Sequence, residues 1–265
     1  MLVRRVSESK LVWYESPLLT AAGAAHAFST RIGGVSPPPF ESLNLGNPGG
    51  CEIQDDYDRI GQNYRRLQSA IGLADRPLLR LHQVHGRTCV KADPAISWES
   101  TAKGDAIIVA HSGPIASVRV ADCCPILLAC EDGSAVAAVH AGWRGVVAGA
   151  VTAALRELRA ARPNVPVLAA IGPCIGMDAF ELGAEVLNCF DVIFKSAAVT
   201  RWADEKKGYV DLRRAIWLEL IASGVPEDKI DTTDRCTFRD ADEFYSHRRD
   251  KGITGRMAAL IAAAA

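Results

Sequence analysis

Three short segments each place a side chain that could bind a metal or act as a nucleophile at the end of an apolar run. They are HQVHGRT with His85, VADCCPILL with Cys123, and AVHAGWRG with His140. Zinc accepts two imidazole nitrogens and one thiolate sulfur, and catalytic zinc sites leave the fourth position open to water. A histidine or cysteine at a strand end is also commonly a packing residue, so spacing alone leaves a zinc site and a structural role both open.

Neighbouring polar side chains predict how such a site is arranged. Side chains alternate between the two faces of a strand, so we expect His82 and Cys124 to point away from the metal ligands. We expect Asp122 to orient a ligand histidine by accepting a hydrogen bond from its second ring N–H. The glycines of HAGWRG allow the backbone to approach a bound group closely.

The elements that carry these residues bring two of them together. Cys123 and His140 lie 17 residues apart, on neighbouring strand-sized runs. If these runs pair as an antiparallel hairpin, their ends meet. His85 comes from a separate strand, 38 residues before Cys123.

Apolar periodicity along the chain predicts a mixture of strands and helices. Strand-sized runs occupy residues 78–84, 105–110, 115–122, 125–130, 135–141 and 165–172. Helical spacing occurs in residues 55–72, 146–160, 177–190 and 210–224. Asp211 is the predicted N-cap of the last of these helices. The tail from residue 257 is predicted to be the end of a helix. Strict βαβ alternation is absent. We therefore predict an α/β fold of mixed-sheet, α+β character, in a single domain over residues 1–265, with helices flanking the sheets.

Composition excludes several other classes of protein. The chain has 265 residues and a formal net charge of -1, with 49% hydrophobic residues. This near-neutral charge gives no reason to expect nucleic acid as a partner. No apolar run approaches the ~18 residues of a membrane span, and the N-terminus does not read as a secretory signal, so we expect a cytoplasmic protein. Most of the eight cysteines are then expected to be buried thiols.

Six motifs resemble the YfiH family, also called the multicopper polyphenol oxidase (laccase)-like or peptidoglycan-editing-factor family. They are FSTRIGGVSPPPFESLNLG, QVHG, ADCCPILL, AVHAGWRG, IGPCIG and FYSHRRDKGITGRM, in that order from about Phe28 to Met257. The resemblance implies a mixed α/β fold and a zinc ion held by His85, Cys123 and His140. Two positions depart from the family pattern: His247 replaces an aromatic residue, and Cys124 follows the ligand cysteine.

The same resemblance implies purine nucleoside chemistry. Adenosine, inosine, guanosine and methylthioadenosine would undergo phosphorolysis to a free base and a sugar 1-phosphate, and adenosine would also be deaminated. For deamination, zinc would lower the pKa of a water molecule to about 7. The HxE and PCxxC signature of cytidine-type deaminases is absent from this sequence, so a deaminase here would need a different architecture.

Phosphorolysis requires an anion site, for which arginine is suited. The candidates for phosphate contact are Arg31, Arg144, Arg248 and Arg249. Asp105 is a candidate for a ribose hydroxyl or a base nitrogen, and equally for a turn residue before a strand. For Cys174 in IGPCIG, packing is the better interpretation.

Three other functions fit some of these residues. Copper also accepts two histidines and one cysteine, which would suit a polyphenol oxidase, although six histidines without an HxH pair are few for a multicopper cluster. Cys123 and His140 could serve a metal-free hydrolase as nucleophile and base, with peptidoglycan precursors as substrates. A binding module without catalysis is the third alternative.

Overall fold

Short apolar runs bounded by turn residues form the strands, and amphipathic segments form the helices. The computed structural model describes residues 1–92 and 101–264. In these residues the strands are β1 (Val3–Val6), β2 (Val12–Glu15), β3 (Ala25–Ser29), β4 (Leu78–Leu79), β5 (Cys89–Lys91), β6 (Ala106–Val109), β7 (Ile115–Val120), β8 (Cys124–Cys130), β9 (Val136–Ala141), β10 (Val167–Ile171), β11 (Glu181–Gly183), β12 (Thr200–Trp202), β13 (Lys207–Val210), β14 (Ile230–Asp231) and β15 (Met257–Ala262). The helices are α1 (Pro17–Ala21), α2 (Tyr57–Ala70), α3 (Trp143–Ala148), α4 (Ala150–Ala161), α5 (Ala184–Phe194) and α6 (Leu212–Ala222).

The strands form two large mixed sheets and one small sheet. The first sheet has the order β1-β2-β3-β15-β7-β4, and only its β4–β7 pair is parallel. The second sheet has the order β14-β10-β8-β9-β6-β5, with parallel pairs at both edges. The third sheet is the antiparallel set β11-β13-β12. The predicted α/β fold of mixed-sheet, α+β character is confirmed.

The two large sheets pack face to face, with helices on their outer faces. One apolar cluster between the sheets contains Phe28, Val118, Leu127 and Ile261. Alternate residues of the same strands face outward, where the first sheet packs against α2 and the second against α4, α5 and α6. This alternation explains why both faces of these strands read as apolar in the sequence.

Several predicted elements agree with the structure. The β8–β9 hairpin is antiparallel and pairs Pro125 with His140, as the spacing of Cys123 and His140 predicts. Helix α2 lies within the predicted residues 55–72, and Asp211 caps α6 by accepting a hydrogen bond from the backbone N–H of Arg214 at 2.9 Å.

Two predicted helices differ from those in the structure. The helix predicted over residues 146–160 is two helices, α3 and α4, because Gly149 has a φ of 78°, which ends one helix and begins the next. The helix predicted over residues 177–190 begins only at Ala184. The residues just before it form β11, which pairs with β13.

The prediction that the C-terminal tail is helical is wrong. Residues Met257–Ala262 form β15, which lies between β3 and β7 near the centre of the first sheet. All six residues are buried, because the strand contacts the inter-sheet core on one face and the α2 side on the other. This tertiary environment overrides the helical preference of an alanine-rich segment.

The Gly- and Pro-rich segment 31–50 has no regular helix or strand. Its backbone is ordered by local contacts, such as those of Ser42 Oγ, which accepts hydrogen bonds from the backbone N–H groups of Gly33 and Gly34. Leu43 and Leu45 in this segment are fully buried, so the loop contributes to the core as well as to the surface. None of the described helices has the length and apolar character to cross a membrane.

Candidate metal centre

The candidate ligands come from the ends of three different chain segments. Cys123 lies in the tight turn by which the chain passes from β7 of the first sheet to β8 of the second. His140 lies in β9, beside Pro125 of β8, and is buried. His85 follows β4 and is exposed, with a φ of 59° that is uncommon for a residue other than glycine. The turns therefore direct all three side chains to one point.

The geometry of the three side chains fits a metal ion. Their ligand atoms all lie within 4.8 Å of one another. The rings of His85 and His140 are 4.9 Å apart and nearly perpendicular, at 81°. Zinc bound at about 2.0–2.3 Å with tetrahedral angles would need ligand separations of about 3.3–3.6 Å, which small side-chain rotations supply. In the described residues this is the one group of at least three such side chains that the structure brings together.

Asp105 positions the two ligand histidines through hydrogen bonds. Its carboxylate is fully buried. Oδ1 accepts hydrogen bonds from His140 Nδ1 at 2.9 Å and from the backbone N–H of His85 at 2.9 Å, while Oδ2 accepts one from the backbone N–H of Gly86 at 2.7 Å. Because Nδ1 of His140 is engaged in this way, Nε2 is the nitrogen left for a metal. Asp105 is thus not placed to hold a ribose hydroxyl.

The prediction that Asp122 orients a ligand histidine is wrong. Its Oδ1 accepts a hydrogen bond from the Thr237 hydroxyl at 2.7 Å, and its Oδ2 accepts one from the backbone N–H of Arg248 at 2.7 Å. Its backbone carbonyl also accepts a hydrogen bond from Ile175. Asp122 therefore ties three loops to the end of β7, and its φ of 88° turns the chain toward Cys123.

The electrostatics of the centre favour a thiolate. Burial would raise the pKa of Cys123, but the neighbouring His140 and His85 lower it to about 6. Burial would lower the pKa of His140, but Cys123 and Asp105 raise it to about 9. The pKa of Asp105 is below its usual range because hydrogen bonds from His140 and from backbone N–H groups outweigh the effect of burial. Near neutral pH the metal-free protein therefore holds a thiolate beside an imidazolium.

Zinc binding should release a proton from His140. Zinc binds neutral imidazole, whereas His140, with a pKa of about 9, is charged in the metal-free protein near neutral pH, when Cys123 has already lost its proton. One proton per ion should be released, and the apparent zinc affinity should rise about ten-fold per pH unit between about pH 7 and pH 9. Calorimetric titrations in two buffers of different ionisation enthalpy measure this release. No release in that window would show that His140 is already neutral.

Replacing Asp105 with asparagine should weaken zinc binding. The amide group cannot accept all three hydrogen bonds, so His140 loses its fixed orientation. Loss of such a partner typically costs about 10–100-fold in metal affinity. Competition with a zinc chelator gives the affinity. The matched control is Asp132→Asn, which removes the charge of an exposed carboxylate that accepts a hydrogen bond from the backbone N–H of Ser134. Equal affinity for the two variants would contradict the role of Asp105.

Gly142 is a second position where one substitution should disturb the centre. A Cβ at this residue would lie 2.9 Å from Cys123 Sγ and 3.1 Å from His85 Cδ2, both closer than normal contacts. Gly142→Ala should therefore push these two ligands apart and lower zinc affinity by about 10–100-fold, similar to the loss of an orienting partner. Gly61→Ala in α2, where the nearest atom is 3.5 Å away, is the control. Unchanged zinc affinity in Gly142→Ala would show that the ligands tolerate the added methyl group, which would contradict this prediction.

The centre opens into a cavity of about 930 Å³, whose lining includes cationic and aromatic side chains. Arg119 and Arg256, which we call the inner arginines, belong to this lining, and both are half-buried. Burial lowers the pKa of both residues, and the positive charge of a neighbouring arginine lowers each pKa further. In residues 1–92 and 101–264 no carboxylate forms an ion pair with either of them. Nη1 of Arg256 donates to the carbonyls of Thr254 and Gly255 at 3.0 Å, which leaves its other N–H groups and those of Arg119 for a small anion.

The lining of the cavity also includes the apolar side chains of Trp143, Ile175, Phe180 and Leu212, together with His247. Apolar and aromatic side chains of this kind suit the faces of a planar base. His247, one of the two departures from the family pattern, therefore lines the cavity. His82 also lines it but is not part of the metal-ligand group, as expected.

The structure brings only some of the predicted anion contacts to this cavity. Arg144 and Arg248 line it. Arg31 lies apart from the described lining: its Nε donates to the Glu41 carbonyl at 2.9 Å, and its guanidinium stacks 4.8 Å from the Tyr245 ring. Arg249 is also held elsewhere, since it donates to backbone carbonyls and pairs with Asp250 at 2.8 Å.

Two other cysteines lie in the core, as predicted. Cys124 and Cys174 are buried, on the helix-covered side of the second sheet. Cys124 thus points away from the metal ligands, in agreement with strand alternation.

The inner arginines are the residues that sequence reasoning missed. Arg119 is a lone charge inside the apolar run IASVRV, and Arg256 directly precedes the apolar run of β15. A charge inside a buried strand is the signal that could have indicated Arg119. Arg256 reaches the site only because β15 pairs with β7 in the register that sets Met257 opposite Val120.

Comparisons with known proteins agree with this architecture. Residues 25–264 match the model of a family described as multi-copper polyphenol oxidoreductase laccase. The chain is 39% identical to a Shigella flexneri protein named purine nucleoside phosphorylase YfiH, over 96% of this chain and 98% of that one. It is 37% identical to the Deinococcus radiodurans purine nucleoside phosphorylase, over 92% of each chain. The crystal structure of YlmD from Geobacillus stearothermophilus superposes with a TM-score of 0.88, at 28% identity and full coverage of both chains.

Proposed function

Because the chain belongs to the YfiH family of multi-copper polyphenol oxidoreductase laccase proteins, we propose that it is a zinc-dependent purine nucleoside phosphorylase that also deaminates adenosine. Its substrates would be adenosine, inosine, guanosine and methylthioadenosine, with phosphate as co-substrate. The names of the Shigella and Deinococcus relatives support the phosphorylase activity. Zinc and the deaminase activity are supported by the two-histidine, one-cysteine ligand set.

One observation carries the proposal: the candidate metal centre and the inner arginines open into the same cavity. A phosphorylase must hold an anion next to the carbon that it attacks. A metal ligand set next to two half-buried arginines provides an anion site, and the apolar side chains of the lining provide space for a base.

The chain's own residues would divide the reaction between them. Arg119 and Arg256 hold the phosphate, so that one of its oxygens attacks C1′ of the ribose while the C1′–N9 bond breaks. The apolar side chains of the lining, such as Ile175 and Leu212, contact the base. Asp105 fixes His140, so that the site needs little reorganisation during the reaction. A zinc ion held by His85, Cys123 and His140 would supply Lewis-acid chemistry at the cavity floor.

Incubation of the purified protein with adenosine, with and without phosphate, tests this function. Chromatography should show adenine only when phosphate is present and inosine in both conditions. Zinc should be present at one ion per chain in protein purified without chelator. Absence of both products would overturn the proposal.

A metal-free cysteine hydrolase is the second candidate, because a thiolate lies beside an imidazolium at Cys123 and His140. Its substrates would be peptidoglycan precursors. Hydrolysis of such a precursor by protein freed of metal would favour this function, whereas loss of all activity on chelation would exclude it.

A copper-dependent polyphenol oxidase is the third candidate, favoured by the description of the matching family. The ligand set also accepts copper. Stoichiometric copper together with oxidation of a phenol would favour this function. Zinc as the bound metal, with no phenol oxidation, would exclude it.

A further inference from the structure

The lining of the cavity carries more positive charge than one phosphate requires. Five arginines line it: Arg80, Arg119, Arg144, Arg248 and Arg256. In the described part of the chain the single carboxylate of the lining is Asp122, and both of its oxygens already accept hydrogen bonds. The chain as a whole has a net charge of -1, so this concentration of arginine is local. With a phosphate ion at the inner arginines, Arg144 and Arg248 still have no carboxylate partner among the described residues.

Arg144 and Arg248, which we call the outer arginines, are the exposed arginines of the lining. The Arg144 guanidinium lies 4.5 Å from the centre of the Trp143 ring, and that of Arg248 lies 5.4 Å from the centre of the Phe180 ring. Nη1 of Arg248 donates to the Glu181 carbonyl at 3.0 Å. A guanidinium held over an aromatic ring in this way retains N–H groups that match phosphate oxygens.

The inner and outer arginines are held by different parts of the fold. The inner arginines belong to β7 and to the residue before β15, in the first sheet. Arg144 lies in α3, directly after the second-sheet strand that carries His140, and the loop of Arg248 is tied to Asp122 at 2.7 Å. The two rings that the outer arginines contact belong to the same lining as Ile175 and Leu212, which suits a base. The outer arginines therefore lie beside the part of the lining that suits the nucleoside.

We infer that the cavity takes purine nucleosides that carry a phosphate of their own, that is, nucleoside 5′-phosphates, with this phosphate on the outer arginines. The inference rests on the proposed function and extends its substrate class. A volume of about 930 Å³ leaves room for such a ligand beside the co-substrate, since ligand cavities span about 300–1,000 Å³.

The corresponding reaction is balanced without a further reactant. With inosine 5′-phosphate, the C1′–N9 bond breaks and a phosphate oxygen bonds to C1′. The proton of the attacking phosphate passes to the leaving base. The products are hypoxanthine and ribose 1,5-bisphosphate.

Calorimetry on the zinc-loaded protein in phosphate-free buffer tests the inference, with inosine and inosine 5′-phosphate as probes. Without phosphate neither probe can be phosphorolysed, and neither carries the amino group needed for deamination. Inosine 5′-phosphate should bind at least about ten-fold more tightly than inosine, as expected for charge-assisted hydrogen bonds. The double variant R144Q/R248Q should lose this preference, and Arg119→Gln should keep it.

Equal affinity of the wild-type protein for the two probes would overturn the inference. So would a preference that survives in R144Q/R248Q, or one that is lost in Arg119→Gln, since the 5′-phosphate would then occupy the inner site. If the double variant does not fold, the single variants R144Q and R248Q decide in the same phosphate-free buffer: each should weaken the preference for inosine 5′-phosphate, and an unchanged preference in both would overturn the inference. Inosine phosphorolysis, measured on the same wild-type preparation, tests the proposed function separately from the ratio of affinities.

Discussion

Cys123→Ala is expected to give a folded protein that retains no zinc and has lost at least about a thousand-fold in both phosphorolysis and deamination, equivalent to about 4 kcal/mol of transition-state stabilisation. The thiolate is one of only three protein ligands, and the two remaining imidazoles hold zinc weakly. Metal analysis and the chromatographic assay with adenosine measure the two effects. The side chain is half-buried at a turn rather than in the core, so its removal should leave the fold intact.

Cys124→Ala is the matched control for this substitution. Cys124 is the next residue, but it is buried against the helices and points away from His85 and His140. This variant should keep its zinc and its activity, with at most a small loss of stability. A Cys123→Ala protein that lacks metal and remains active would contradict the zinc-dependent function, and the metal-free candidate with Cys123 as nucleophile would fail as well.

Arg119→Gln should separate the two proposed activities. Loss of a charge-assisted contact to phosphate should lower kcat/KM for phosphate by about 100-fold, whereas adenosine deamination, which uses no phosphate, should change by less than about two-fold. Arg119 is half-buried without a carboxylate partner in residues 1–92 and 101–264, so removal of its charge should not destabilise the fold. Thermal unfolding together with both assays provides the comparison.

Arg156→Gln is the control for general charge effects, because Arg156 lies on the exposed face of α4, where it forms an ion pair with Glu157. Both of its activities should match those of the wild-type protein. Parallel loss of phosphorolysis and deamination in Arg119→Gln would contradict a specific phosphate role and would point to a general disturbance of the cavity.

The sequence predicts the metal ligands better than their surroundings. His85, Cys123 and His140 each follow or end a short apolar run, and the 17-residue spacing of two of them corresponds to the β8–β9 hairpin. These are local signals. Asp105 could not be assigned in the same way, because its role depends on β6 lying beside β9, which places its carboxylate behind His140.

The errors have a common physical cause. The last strand is rich in alanine, and local preference favours a helix, but two apolar layers bury it as a strand. Arg256 was missed for the same reason, because no pattern in the nearby sequence shows that the next residue, Met257, pairs with Val120 of β7. A positive φ at Gly149 divides one predicted helix into two, and pairing with β13 makes the start of another predicted helix a strand.

The position of β15 has a consequence for how the molecule assembles. The backbone N–H of Ala258 donates to Ser29 Oγ at 3.0 Å across 229 residues of sequence, and β15 fills the gap between β3 and β7. Pairing between such distant segments slows folding, because the chain must close a long loop before the contact forms. During synthesis on the ribosome, β3 and β7 emerge long before β15, and Arg256 emerges together with β15. An anion that needs both inner arginines therefore binds only the finished molecule and, by mass action, protects it against unfolding.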